Sequence, residues 1–187
     1  SIDAEGMQSM VMRANGDHEY IEPFSSDKKV YAAFKKQRSA GQLPWACSTA
    51  DQAMMSGINN RVMAVAAAGT SGSIMRTLRL AQSCNGEYAN YFGATSSADV
   101  AKVLAAYNAT LTRCNGVYEK DLALHLNLID QTTNVIYYTP STDPYTTMSS
   151  WNSQLQSALN TNVGAANYDI GHMFGASGGG GNAGCIG

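Results

Sequence analysis

The hydrophobic and polar positions fall into two stretches of different character. Residues 7–12 and 18–24 are extended runs on either side of Asn15-Gly16, a dipeptide that favours the tight turn of a β-hairpin. Residues 26–37 open on Ser26, a helix-capping type of residue, and then turn basic and exposed. Residues 38–44 (RSAGQLP) are rich in turn formers and poor in core residues, the composition of a linker.

From about Ser73 the periodicities strengthen. Residues 75–81 (MRTLRLA) alternate apolar and polar positions as a half-buried strand does. Residues 97–114 place Val100, Val103, Leu104, Tyr107 and Leu111 at helical spacing, with Ser97 as cap and Asn115-Gly116 as the stop. Residues 122–129 alternate leucines and an isoleucine with Ala, His and Asn, which is again strand-like. Residues 135–139 (VIYYT) are β-formers that end at Pro140. A short helix is expected over 151–159 and a further strand over 166–174. Strand, helix, strand, strand, helix, strand in that order favours an α/β layer: a twisted mixed sheet with flanking helices. The chain then runs through Gly178, Gly179, Gly180 and Gly181, and Cys185 and Ile186 follow as if another strand were opening.

Composition narrows the function classes. A chain of 187 residues holds one generous domain, or one domain plus a partial one. Charged residues make up 14%, well below the usual quarter or so, against 44% hydrophobic. The polar surface must therefore be built from Ser, Thr, Asn, Gln and Gly, a balance commoner in secreted proteins than in cytosolic ones. A net charge of -2 argues against a nucleic-acid partner, which calls for a basic face. The longest apolar run, 62–69, is too short to span a membrane, and residues 1–5 lack the basic start and apolar core of a signal peptide. Cys47, Cys84, Cys114 and Cys185 are too widely spaced for a CxxC redox or zinc-ribbon motif.

Catalytic motifs are scarce. His18-Glu19-Tyr20-Ile21-Glu22 begins like the zinc helix HExxH, but Glu22 stands where the second histidine belongs, and the run is strand-like. Asp169 to Gly175 (DIGHMFG) lacks the first histidine and the glutamate of that motif, so His172 reads as a structural or rim histidine. There is no GxSxG elbow, and nothing specific supports a Cys47–His125 pair. Glu119 and Asp121 flank a helix-to-strand connection where solvated charges are expected. The glycine run lacks the Gly-Lys-Ser/Thr of a phosphate loop.

Several segments taken together are more specific. Leu78-Arg79-Leu80-Ala81 with Gly86-Glu87-Tyr88, then 115–122 (NGVYEKDL), Leu128-Ile129 and Ile136-Tyr137-Tyr138-Thr139 come first. Thr142-Asp143-Pro144-Tyr145, 167–172 (NYDIGH) and the glycine run complete the set. In this order they resemble the reprolysin-like zinc metallopeptidases of the metzincin group, in the form secreted by Bacteroidetes-type bacteria. The resemblance implies a propeptide end over 1–37 containing the β-hairpin, a linker and activation region over 38–72, and an incomplete amino-terminal catalytic subdomain over 73–187. It implies that Asn182, Ala183, Gly184, Cys185 and Ile186 begin an edge strand that binds peptide substrate in extended form. The motif HExxHxxGxxH is absent, so zinc is expected in a full-length parent and not in this chain, and peptide or protein is the implied substrate of the parent. Secretion or a cell-surface location is implied as well.

Two cysteine expectations follow. Cys47, between the propeptide-like segment and the catalytic part, is a candidate cysteine switch that would occupy the open zinc position, or else a structural disulfide or buried thiol. Cys84 and Cys114 each begin a Cys-Asn-Gly tripeptide, one ending the first strand and one ending the long helix. If those ends are adjacent, a Cys84–Cys114 disulfide ties helix to sheet. The alternative function is a non-enzymatic secreted binding module that keeps the sheet without the zinc helix.

Overall fold

Two sheets from different parts of the chain lie against one long helix in this computed structural model, which describes residues 2–3, 5–14, 17–35, 46–47, 74–177 and 180–183. Strands β1 (Ile2–Asp3) and β2 (Gly6–Met7) form a small antiparallel pair. Strands β3 (Ser9–Val11), β4 (Glu19–Pro23) and β5 (Tyr31–Lys35) form an antiparallel meander, with Met10 opposite Tyr20 and Tyr20 opposite Phe34. The expected hairpin is thus present, while its turn residues Asn15 and Gly16 lie outside the described residues. The segment opening at Ser26 makes a strand, not a helix. Ser25, Asp27 and Lys28 (φ 59°) close a tight turn, and Tyr31 and Phe34 are better placed on a pleated edge. Strand β6 (Ala46–Cys47) follows.

The second sheet has the order β8-β7-β9, all pairings parallel: β7 (Arg76–Cys84) is central, flanked by β8 (Leu124–Leu128) and β9 (Ile170–Phe174). Its connections carry the helices α1 (Gly86–Tyr91), α2 (Val100–Leu122) and α3 (Trp151–Asn162). The expected sheet with flanking helices is therefore present. Parallel strands need long crossovers, and covering both faces buries the central strand on both sides. That is why β7 alternates at its start and is continuously buried from Leu80 to Cys84. Cys84 packs under α2 with Val103, Tyr107 and Ile136, while Ala81 packs under α3 with Leu159, Val163 and Val135.

Three boundaries differ from expectation. Helix α2 does not stop at Asn115-Gly116 but runs on to Leu122 and ends at Ala123, which takes the left-handed conformation (φ 52°). Asn115 is free to stay helical because its side chain bonds across to Leu126 rather than back to its own helix. Residues 135–139 do not form a strand: a 3-10 turn covers Asp130–Val135, and only Ile136 bridges to Cys84. Its neighbours Tyr137 and Tyr138 point into the two opposite cores instead of extending a ladder.

The meander docks on the outer side of α2. Arg113 pairs with Glu22 and lies over the Tyr20 ring, 5.2 Å from its centroid, and Met12 covers Gly116. An open cleft of about 530 Å³ remains between Phe34, Met10 and Val117, so this contact is loosely packed. The ion pair is partly exposed, and the cation–π contact adds little more. Arg113→Ala should therefore weaken docking by about 1 kcal/mol. Amide exchange in β4 and β5 should speed up several-fold while β7 is unchanged. Equal acceleration in both sheets would show that Arg113 supports the whole fold instead.

Candidate functional site

The carboxyl ends of β7 and β9 converge where parallel strands commonly present a site. At the end of β7, Asn85 caps α1: its Oδ1 accepts the Tyr88 N–H at 3.1 Å. The same oxygen accepts the Ala176 N–H at 3.2 Å, and its Nδ2 donates to Ser177 Oγ at 3.1 Å. The backbone leaving β9 is thereby held at the end of β7. Gly175 allows this path, since a Cβ there would lie 2.6 Å from the Trp151 ring. Farther on, Asn182 Nδ2 donates to Met148 O at 3.1 Å. The glycine-rich stretch is pinned at both ends by asparagine side chains. Between the pins lies β10 (Gly180–Gly181), which pairs in parallel with β6.

The loop over α1 is equally determined. Asp143 accepts the Gly86 N–H at 2.7 Å and the Tyr145 N–H at 2.9 Å. Ser83 donates to Val135 O at 2.6 Å and meets the Tyr145 hydroxyl at 2.7 Å, so the buried polar end of β7 is satisfied. Burial raises the pKa values of Tyr88, Tyr107, Tyr145 and the Cys84 thiol, so all stay neutral. A buried protonated thiol is a poor nucleophile.

At the start of β9, Asp169 accepts from Arg79 Nε at 3.1 Å and Nη2 at 2.8 Å, and from the Arg79 backbone N–H at 2.7 Å. Arg79 holds the Asp169 pKa down to about 2 from its ordinary 3.8. The stabilising charge is therefore complete above the ordinary value and lost as pH falls through about 2. Asp169→Asn should flatten the acid limb: its urea midpoint should lie below that of the unaltered chain at pH 7, and the two should converge near pH 2. A constant gap across that range would show that the carboxylate charge is not what stabilises.

The three histidines stand apart. His172 Nδ1 is 3.0 Å from Gln82 Oε1 with the ring edge-on to Phe174, and the surrounding protein lowers its pKa. His125 Nδ1 pairs with Glu119 Oε1 at 2.6 Å on the surface. Around His18, Glu19 is taken by Arg13 and Glu22 by Arg113. Among the described residues no three His, Cys, Asp or Glu side chains converge to hold a metal ion. These residues therefore do not fit a zinc ion, and no catalytic step can be assigned to them.

The cysteines also depart from expectation. Cys84 and Cys114 are free thiols, not a disulfide. Helix α2 runs against β7, so the first turns of the helix (Val103, Tyr107) cover Cys84, and Cys114 lies toward the opposite end, beside the Asn115–Leu126 bonds. In both Cys-Asn-Gly tripeptides the asparagine does the tying. The sequence pattern points to neither tie, although Asn85 followed by Glu87 is a helix-start signal. Of the expected edge strand, Asn182 and Ala183 are described; Gly184, Cys185 and Ile186 lie outside the described residues. For Cys47 the backbone alone is described, facing Gly181.

The pattern that defines Metallo-peptidase family M12B Reprolysin-like matches residues 74–187, from the strand that opens the parallel sheet to beyond the glycine-rich stretch. The chain belongs to this reprolysin-like metallopeptidase family. Comparison with curated proteins and with solved structures found no match. The reprolysin-like family is one of metallopeptidases, and membership implies zinc in full-length proteins of the family. Among the described residues no helix is long and apolar enough to cross a membrane.

Proposed function

We propose that this chain is part of the precursor of a secreted or cell-surface zinc metalloendopeptidase of the Bacteroidetes type, with HExxHxxGxxH supplied by residues that follow Gly187. The family match over 74–187 carries the reading. A second observation supports it. The α2 side of the parallel sheet is only partly covered: a cleft of about 410 Å³ opens between Leu111 and Tyr118 of α2 and Leu126, Leu128 and Ile170 of the sheet. Interiors are close-packed, and an apolar sheet face left open calls for another element. A helix carrying the zinc ligands would fill it.

In this reading 73–187 is the amino-terminal catalytic subdomain, 1–37 the end of the propeptide and 38–72 the activation region. The pinned glycine-rich stretch leads into an edge at Asn182, Ala183, Gly184, Cys185 and Ile186, whose backbone takes an extended peptide. Cys47 supplies a thiol that keeps the zymogen latent. The surface poor in charge suits a secreted enzyme.

The protein extended to the end of its reading frame should bind one zinc, cleave peptides, lose activity to a chelator and regain it with zinc. A reading frame that ends without the motif, with no zinc bound, would leave the non-enzymatic binding module. Cys47→Ala in the extended zymogen should speed activation; unchanged latency would remove the switch.

A further inference from the structure

Gln82 and His172 stand side by side on β7 and β9, and both line the open cleft between α2 and the parallel sheet. The other walls of that cleft are apolar, built from residues such as Leu80, Leu111, Leu126 and Leu128. We infer that His172 is a positioning residue: its Nε2 accepts a hydrogen bond from the helix that fills this cleft and so fixes where that helix sits on the sheet. The inference rests on the zinc-helix reading proposed above and adds which side chain of this chain sets the helix in place.

A short chain of bonds sets the tautomer of the ring. Gln82 is buried, and its Nε2 donates to Ser83 O at 2.8 Å. The amide is thereby held with Oε1 turned to His172 Nδ1, 3.0 Å away. An amide oxygen has no proton to give, so Nδ1 carries the ring N–H. Burial lowers the His172 pKa, so the ring is neutral at ordinary pH and Nε2 keeps its lone pair. Phe174 meets the ring edge-on at 4.9 Å between centroids, which fixes its orientation. Both amide atoms of Gln82 are used, whereas among the described residues Nε2 of His172 has no partner.

Filling the cleft changes what Nε2 requires. While the cleft is open, water reaches the side chain, since His172 is the exposed residue of β9. An element with only apolar groups would exclude that water and bury an unpaired acceptor, a loss of about tenfold or more in docking. The backbone N–H groups of a helix interior are already used, so the donor is a side chain or an N–H of the first turn. Apolar contact is non-directional and selects no single depth for a helix on the sheet. One hydrogen bond of defined geometry does.

The test compares the 187-residue chain with the chain extended to the end of its reading frame, each unaltered and as His172→Leu and His172→Gln. Leucine removes the acceptor, and glutamine keeps one. Loss of the Gln82 contact affects both lengths alike, so a cost confined to the extended protein belongs to Nε2. The readouts are zinc affinity, which weakens when the ligand-bearing helix docks poorly, and thermal melting at both lengths. A third is the imidazole nitrogen resonances of isotope-labelled histidine in the unaltered proteins. The expected result is the Nδ1–H tautomer at both lengths, with the Nε2 resonance shifted on extension as it accepts a bond. Zinc should bind about tenfold more weakly to extended His172→Leu and within about threefold to His172→Gln. His172→Leu should also lower the melting temperature more in the extended protein than in the 187-residue chain. Equal zinc affinity in all three extended proteins would overturn the positioning role and leave the zinc helix standing. Equal losses in both variants would assign the effect to ring shape and overturn the acceptor account. An Nε2–H tautomer in the unaltered chain would also overturn it, a readout that holds even if His172→Leu fails to fold. An unaltered extended protein that binds no zinc would overturn the zinc-helix reading, and the role of His172 with it.

Discussion

Asn115→Ala should lower stability by about 3 kcal/mol, a fall of roughly 6–12 °C in melting temperature. Asn115 sits in the middle of α2 and is only 8% exposed. Its Nδ2 donates to Leu126 O and its Oδ1 accepts the Leu126 N–H, both at 2.9 Å. Strand β8 pairs with β7 on one side. In a parallel strand the N–H and C=O of one residue point the same way, so Asn115 acts toward Leu126 as a neighbouring strand would. Truncation to alanine leaves a buried donor and a buried acceptor without partners, each costing about 1–3 kcal/mol. Thr112, one turn earlier, is exposed and its hydroxyl bonds only Asn108 O within the helix. Thr112→Ala should therefore stay within about 0.5 kcal/mol of the unaltered chain. Should Asn115→Ala melt alongside Thr112→Ala, the asparagine would not be the tie between helix and sheet.

The same residue shows where sequence reading succeeds and fails. Strands β7 and β8 and helices α2 and α3 are legible because each buries part of its surface, and burial leaves its mark on the sequence. Asn115-Gly116 was misread as a helix stop because the local preference of Asn-Gly is real. A contact with Leu126, distant in the fold, overrides it. Residues 135–139 have strand-like side chains for a similar reason: Tyr137 and Tyr138 fill two cores, and core filling selects the same residue types as a pleated sheet. At the site, the glycine run was conspicuous by composition alone. Its anchors were not, because Asn85 with Ser177 and Asn182 with Met148 are single polar contacts between remote segments and leave no periodic trace. The Cys84–Cys114 expectation failed on direction: two segment ends coincide in space only if the segments run the same way, and a crossover helix runs back along its strand.

Gly86→Ala should destabilise the chain by about 3 kcal/mol, although helix propensity argues the other way. Gly86 is the first residue of α1, and alanine is favoured over glycine in a helix interior by about 1 kcal/mol. Here sterics decides. A Cβ on Gly86 would lie 2.4 Å from Pro140 N and 2.7 Å from Thr139 C, which are backbone atoms that no side-chain rotation can move. That backbone is itself fixed. Tyr137 and Tyr138 are packed on either side of the sheet, and Asp143 grips the Gly86 N–H at 2.7 Å. Relief must come from displacing α1 or the loop, and either motion shifts Asn85, the side chain that pins Ala176 and Ser177. The substitution should therefore reach the glycine-rich edge without touching it. Amide exchange at Gly180 and Gly181 should accelerate at temperatures where Leu126 in β8 remains protected. A variant as stable as the unaltered chain would mean that the Pro140 loop yields freely. Lost stability with unchanged exchange at the two glycines would mean that Asn85 does not set the edge.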